Sequence, residues 1–171
     1  MISWLIILLF LIILIPIAIS SLLLAPPVPT PRKAVEEMLK LAGVRAGDMV
    51  YDLGSGDGRV IITAFQKFGA KSCGFELSIL HYLVSVFLIY IKGLSQNVKM
   101  VYGNFYRHDL SSATVITIFG YPSKMSKVGK KLIKNLKPGS RVVSYAFSIK
   151  NLKLEKTIKP KNYAPIYLYK T

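Results

Sequence analysis

The glycine-rich stretch Val50-Tyr-Asp-Leu-Gly-Ser-Gly-Asp-Gly58 offers the clearest chemistry in this sequence. A short apolar run ends in Asp52, and a loop with three glycines then opens a segment of helical character. At the carboxyl end of a buried parallel strand, such a loop lets the backbone approach a nucleotide-like ligand. The loop residues predicted to contact that ligand are Gly54, Ser55, Gly56, Asp57 and Gly58.

The spacing of this loop favours S-adenosylmethionine (SAM) over NAD. A dinucleotide-binding loop has its third glycine one place later, where this chain has Arg59. No Gly-Lys-Ser/Thr of a phosphate-binding loop follows either. SAM has no phosphate, and a carboxylate such as Asp52 can help to hold its cationic methionine end.

Two further strand ends fit the same cofactor. The run Lys71-Ser-Cys-Gly-Phe-Glu76 closes on a carboxylate 24 residues after Asp52, where Glu76 can accept hydrogen bonds from the ribose hydroxyls. The next strand ends at Tyr102-Gly-Asn-Phe105, so Asn104 can bond the adenine amino group and Phe105 can lie against the ring. A lone glycine loop is often an ordinary tight turn, but three strand ends together predict a SAM site.

Helical and strand patterns alternate after residue 31 and would position these groups. Helices are predicted over residues 32–42, 59–68, 78–91 and 123–136, and strands over residues 49–53, 71–75, 98–102, 114–119, 141–147, 152–158 and 166–169. Such alternation predicts an α/β fold, a Rossmann-like parallel sheet of seven strands covered by helices. A Pro160-Lys-Asn162 turn signal lets the last two strands form an antiparallel pair.

No side chain before Arg32 is ionisable, and the first 24 residues are predicted to be a transmembrane anchor. Residues 2–24 form an apolar run that as a helix would reach roughly 34 Å, enough to cross the hydrocarbon core. A cleaved signal peptide is the alternative, but this run is long and no basic residue precedes it. Residues 25–31, with four prolines, are predicted to be a stiff spacer, and residues 32–171 one domain. Because Arg32 and Lys33 follow the span, the domain is expected on the cytoplasmic side of a single-pass membrane protein.

Composition limits the remaining possibilities. The chain has 171 residues, of which 52% are hydrophobic, which excludes a disordered protein. One cysteine, two histidines and no Cys/His cluster predict neither an internal disulfide nor a metal site. The formal net charge of +15 includes a basic helix face, Lys124, Lys127, Lys131 and Lys134, that could contact anionic lipid. Nucleic acid is not an expected partner, because no added recognition domain is evident.

With these motifs the chain resembles the class I SAM-dependent methyltransferases. It resembles more closely the small membrane-anchored lysine methyltransferases, whose mitochondrial members modify the adenine nucleotide translocase and the c subunit of ATP synthase. The resemblance covers residues 28–149 and rests on four pieces: Val-Pro-Thr-Pro31, Asp-Leu-Gly-Ser-Gly-Asp-Gly-Arg59, Gly74-Phe-Glu-Leu77 and Ile118-Phe-Gly-Tyr-Pro122. It implies a class I methyltransferase sheet with SAM as methyl donor, and it adds Thr30 and Leu77 to the cofactor-binding residues. The chain departs from the family at Ser78-Ile79, where relatives usually carry Asn-Pro.

The turn Phe119-Gly-Tyr-Pro122, which ends the fourth predicted strand, bears on the methyl acceptor. Its sequence differs from the Asp/Asn-Pro-Pro-Tyr turn of adenine and glutamine amino-methylases. A pyrimidine C5-methylase would need a nucleophilic cysteine in this turn, whereas Cys73 lies in the second predicted strand. An aliphatic amine fits better. Phe119 and Tyr121 are the predicted catalytic walls, and Tyr121 could also orient the nitrogen; ordinary strand-end packing is the alternative.

The expected function is therefore protein-lysine N-methylation, with a protein substrate in or at the membrane. Methylation of a lipid amine headgroup and a non-catalytic SAM-binding membrane adaptor are the alternatives. The apolar helix over residues 78–91 could touch lipid or a partner, or be buried by a neighbouring helix. The His108-Asp109 pair is either a catalytic base or a turn with a helix cap, and the turn is the more usual role for such a loop.

Overall fold

The computed structural model describes residues 29–171 and, near the start of the chain, the helical positions 4, 7, 8, 10–12, 14 and 15. The predicted anchor, residues 1–24, and most of the spacer over residues 25–31 thus lie largely outside the described residues. Within the described part of the chain, no helix combines the length and the apolar character needed to cross a bilayer.

Seven strands form one sheet in the order β3-β2-β1-β4-β5-β7-β6. The strands are β1 (Met49–Leu53), β2 (Lys71–Glu76), β3 (Val98–Tyr102), β4 (Val115–Ile118), β5 (Arg141–Tyr145), β6 (Leu154–Ile158) and β7 (Ile166–Lys170). The first five strands are parallel, β7 is antiparallel to β5, and β6 is antiparallel to β7. The predicted seven-stranded Rossmann-like sheet with a terminal antiparallel pair is confirmed.

Four helices cover the two faces of this sheet. They are α1 (Arg32–Leu41), α2 (Arg59–Phe68), α3 (Ile79–Ile91) and α4 (Pro122–Asn135). Side chains of α1 and α2 pack against Val50, Val115 and Val143, and α4 packs against the alternate residues Leu53 and Ile116 on the other face. Because neighbouring strand residues point to opposite faces, nearly continuous apolar runs such as β4 supply both cores.

Two local differences from the predicted elements lie at the carboxyl edge of the sheet. The strand predicted over residues 141–147 ends at Tyr145, because Ala146 adopts a positive φ of 67° and donates its N–H to the Pro165 carbonyl at 2.8 Å. A short 3-10 turn, Phe105–Arg107, follows β3 and was not predicted. Both features redirect the chain where strands end, and they shape the edge that carries the predicted site.

Candidate active site

Asp52, at the end of β1, is the most buried carboxylate of the predicted site, with 5% of its surface exposed. The parallel register pairs it with Gly74 of β2 on one side and Thr117 of β4 on the other. The Thr117 hydroxyl donates a hydrogen bond of 2.7 Å to Asp52 Oδ1. Thr117 therefore fixes the orientation of the carboxylate from a strand 65 residues further along the chain.

The surroundings of Asp52 suit a cationic ligand. Burial raises the pKa of its carboxyl to about 6, although the hydrogen bond from Thr117 partly opposes this shift. Among residues 29–171, no lysine or arginine forms a salt bridge with it. Asp48 is almost as buried, at 7%, but pairs with Arg141. Asp52, a buried carboxylate in no salt bridge with the described lysines and arginines, thus lies where the methionine end of SAM is predicted to bind.

Glu76, at the end of β2, joins the glycine loop to the next segment of the chain. Its carboxylate accepts three backbone hydrogen bonds, each 2.8 Å long, from the N–H groups of Gly56, Leu77 and Ser78. Its side chain is buried, with 6% of the residue exposed. These contacts hold Glu76 and the loop in one arrangement beside the predicted ribose position.

Two glycines are required because the site is closely packed. A Cβ at Gly74 would lie 2.4 Å from Ser55 Oγ and 2.5 Å from Met100 Sδ. Gly58 has a φ of 78°, and its Cβ would lie 3.1 Å from Ser85 Cβ of α3. Larger residues at these positions would push the loop away from β2 and α3.

Arg59 organises the loop from the position immediately after its last glycine. Its guanidinium donates two hydrogen bonds to Asp57, of 2.9 and 2.7 Å, and a third of 2.9 Å to the carbonyl of Thr30. Although burial alone would raise it, the pKa of Asp57 is lowered by the hydrogen bonds and charge of Arg59. The predicted residues Thr30 and Asp57 are thereby brought together, and Arg59 is a positioning residue that the sequence reasoning missed.

The predicted adenine contacts lie at the end of β3. The Asn104 Oδ1 atom accepts a hydrogen bond of 3.1 Å from the N–H of Tyr106 and so caps the 3-10 turn. Phe105 is 3% exposed and packs in the core beneath α4, with its ring 4.2 Å from that of Tyr106. Little of the Phe105 ring is available to adenine, so the stacking proposed for it remains a prediction, as does the bond to Asn104.

Aromatic rings gather at the adjoining ends of β4 and β5. Phe119 lies 5.2 Å from the ring of Tyr145 and 6.1 Å from that of Phe147, which is nearly parallel to it. Tyr121 is half-buried and immediately precedes α4. Of the two predicted walls, Phe119 therefore belongs to a ring cluster whose other members, Tyr145 and Phe147, were not predicted.

A cavity of about 420 Å³ opens beside this turn. It is lined by the first residues of α4, including Pro122 and Ser123, by Ala146, Phe147 and Ser148 after β5, and by Tyr167 of β7. No carboxylate or imidazole is among its described lining residues. Ser126 and Lys150 also line the cavity, so polar and apolar side chains share its wall.

The His108-Asp109 pair forms a turn. The Asp109 carboxylate is exposed and accepts hydrogen bonds from the N–H and the hydroxyl of Ser111, at 2.9 and 2.7 Å. These bonds hold the pKa of Asp109 below its usual value. His108 instead packs its ring 5.2 Å from that of Phe75.

The family model of the ANTKMT methyltransferase domain matches residues 52–156, which include Asp52 at the end of β1, β2 with Glu76 and the turn after β4. The chain belongs to this methyltransferase family. A protein-lysine N-methyltransferase of Saccharolobus islandicus (strain REY15A) is 42% identical over 135 residues, which are 78% of this chain and 84% of that protein. The human lysine N-methyltransferase of the ATP synthase c-subunit is 32% identical over 71% of this chain, which spans about half, 52%, of that relative.

A solved structure of the same fold carries the cofactor product. The crystal structure of an RNA methyltransferase from Salinibacter ruber, in complex with S-adenosyl-L-homocysteine, superimposes with a TM-score of 0.80 at 34% identity. It covers 84% of this chain and 93% of its own. The methyl donor of this chain is SAM, as predicted. Its site fits SAM, because the buried carboxylates Asp52 and Glu76 flank the glycine loop.

Proposed function

We propose that this chain is a SAM-dependent protein-lysine N-methyltransferase that acts on proteins in or at a membrane. The ring cluster of Phe119, Tyr145 and Phe147 beside an open cavity carries the proposal. The rings form an apolar wall beside the cavity, and no described residue that lines the cavity offers a side-chain carboxamide to a planar amine. Its chemistry suits the aliphatic chain of lysine, and two of the related proteins described above are lysine N-methyltransferases.

Some residues of the site would bind the methyl donor, and others would align the acceptor amine. SAM carries the transferred methyl group on a sulfonium, and the sulfonium becomes a neutral thioether when it loses that methyl group. Asp52 would hold the methionine end and Glu76 the ribose, while Phe119 and Tyr121 would keep water out and align the amine. At neutral pH a lysine must first lose a proton, at a cost of about 4–5 kcal/mol from its reference pKa of about 10.4. Apolar ring walls lower that pKa by disfavouring the charged amine, and the proton can leave through water.

The membrane part of the proposal rests on the sequence before the domain. Residues 1–24 would span the bilayer, and Arg32 and Lys33 would keep the domain on the cytoplasmic side. The spacer over residues 25–31 reaches at most about 25 Å when extended. Acceptors would therefore have to lie close to the bilayer, where confinement raises their effective concentration.

A labelling experiment tests the acceptor class. Full-length protein is incubated with methyl-labelled SAM and either the native membrane fraction, protein-free vesicles of its lipids, or the soluble fraction. Label on a lysine of a membrane protein, located by mass spectrometry and lost in the Asp52→Asn variant, supports the proposal. Label in the lipid extract would instead identify a headgroup methyltransferase, and no labelled product in any fraction would identify a SAM-binding adaptor.

RNA is the second candidate acceptor, favoured by the formal charge of +15 and by the Salinibacter ruber RNA methyltransferase of the same fold. Polyanions bind basic surfaces through their phosphates, and that binding weakens steeply with salt. The same labelling reaction is therefore run on total RNA and on membranes treated with ribonuclease. Label that survives ribonuclease but not protease supports the protein acceptor, and the reverse pattern supports RNA.

The orientation has its own test. Protease added outside intact cells should leave the domain uncut, whereas protease added to inverted membrane vesicles should digest it. Digestion of the domain from outside would overturn the cytoplasmic orientation without affecting the assignment of the acceptor.

A further inference from the structure

Helix α3 exposes an apolar stripe along its whole length. Its thirteen residues, Ile79–Ile91, include no Asp, Glu, Lys or Arg. The exposed side chains lie three or four residues apart, so they share one face. They are Leu80 at 38%, Leu83 at 55%, Val84 at 40%, Val86 at 38%, Phe87 at 62%, Tyr90 at 74% and Ile91 at 57% exposed.

The opposite face of α3 already supplies its contact with the core. Ser85 and Ile89 are buried, and Ile89 packs with Ile61 of α2 and Val98 of β3. At the edge of the sheet, Tyr102 is 54% exposed and its ring lies 5.6 Å from that of the half-buried Tyr82. A contiguous exposed apolar surface of this kind marks an interaction site rather than scattered surface residues.

The charges around the stripe have one sign. Residues 77–108, which include α3, β3 and the 3-10 turn, contain no Asp or Glu. Lys92, which directly follows α3, and Arg107 are exposed in this region, whereas Lys99 lies on the α4 face of the sheet beside Cys73. An apolar stripe flanked by basic residues is complementary to a bilayer that contains anionic lipid, in which each such residue near the surface strengthens binding about fivefold.

The chain enters the described domain close to α3. The Thr30 carbonyl is bonded to Arg59, and the neighbouring Gly58 packs against Ser85 of α3. Residues 25–29, between the apolar segment and Thr30, reach at most about 18 Å.

We propose that the exposed stripe of α3 lies in the interface of a lipid bilayer containing anionic lipids, with Lys92, which directly follows the helix, against the phosphates. The domain would then have a second membrane contact besides residues 1–24, and the contact would set the orientation of the domain on the surface. This docking goes beyond the proposed function and does not depend on whether the methyl acceptor is lysine, lipid or RNA.

Single-tryptophan variants of the full chain test the docking. Trp4→Phe removes the one native tryptophan, and Phe87→Trp places a probe in the stripe. Leu154→Trp is the matched control, because Leu154 is 51% exposed and lies on β6 at the opposite edge of the sheet from β3. Both variants are reconstituted in vesicles of phosphatidylcholine with phosphatidylglycerol, and retained SAM binding confirms that each is folded.

In these vesicles the probe at position 87 should emit at shorter wavelength and be quenched by lipids brominated near the glycerol end, since interfacial helices lie about 5–10 Å below the headgroup level. The probe at position 154 should show neither change. Lys92→Glu should reduce the quenching at position 87. Equal quenching at both positions, or none at position 87, would overturn the proposal. A blue shift at position 87 that grows with protein concentration in lipid-free detergent would replace the bilayer by a second copy of the chain.

Discussion

Replacing Asp52 by asparagine should make the cofactor-free protein more stable while it weakens SAM binding severely. The carboxylate is buried without a described cation, and its pKa is raised from 3.8 to about 6. Between about pH 4 and pH 6 the folded protein therefore holds a proton that the unfolded chain has already released, so stability falls as the pH rises through this window. Above it, the ionised group costs the folded state up to about 3 kcal/mol.

The asparagine variant removes this cost and keeps the local geometry. Its amide oxygen can still accept the hydrogen bond from Thr117. We expect the variant to melt up to about 6–12 °C higher than the parent at pH 7.5, and the difference to shrink towards pH 4. Excess SAM should stabilise the parent, by about 2.7 kcal/mol at one hundred times its dissociation constant, but not the variant.

Asp48→Asn is the matched control, because Asp48 is similarly buried but paired with Arg141. Removing that charge leaves a partly buried guanidinium without its partner, so this variant should be less stable than the parent at pH 7.5. Thermal unfolding of the full chains in mild detergent, with and without SAM, measures all three proteins. The reasoning fails if both asparagine variants shift stability in the same direction, or if Asp52→Asn binds SAM as the parent does.

Three further outcomes follow from the site. Gly74→Ala should lower stability by about 1–3 kcal/mol in urea unfolding and weaken SAM binding in calorimetry, because its Cβ would collide with Ser55; unchanged affinity would contradict the close packing. Arg59→Lys should weaken SAM binding more than it lowers stability, since lysine cannot form both bonds to Asp57; equal effects would make Arg59 merely structural. With a lysine peptide as acceptor, kcat should rise about tenfold per pH unit above pH 7. Tyr121→Phe should lower kcat about fivefold at every pH. A kcat that does not change with pH would indicate a general base in the protein.

The elements of the fold were predictable because their signals are local. The bounds of β1, α2 and β3 agree with the predicted ranges, since β1 and β3 are short, mostly apolar runs and α2 lies between Gly58 and Gly69. The strand predicted over residues 141–147 was wrong at its end. Ala146 has a positive φ and donates its N–H to Pro165, a partner 19 positions away. No local pattern contains that contact.

The site was predictable where residue type alone defines the role. Asp52, Glu76 and the glycines stand at fixed offsets from strands, so their spacing identified them. Arg59 and Thr117 act on residues 29 and 65 positions away, through contacts that only the folded sheet creates. Tyr145 joins Phe119 because β4 and β5 pair in register, which required the strand order.

The three hydrogen bonds accepted by Glu76 affect when the chain gives up conformational freedom. Glycine loses more backbone entropy on becoming ordered than any other residue, and this loop contains three. Since Glu76 fixes Gly56 and the following segment through hydrogen bonds within the chain, that loss belongs to folding and is not repeated at each catalytic cycle. Neither SAM nor its demethylated product should therefore have to order the loop when one replaces the other. Turnover would then not include a slow rearrangement of this loop.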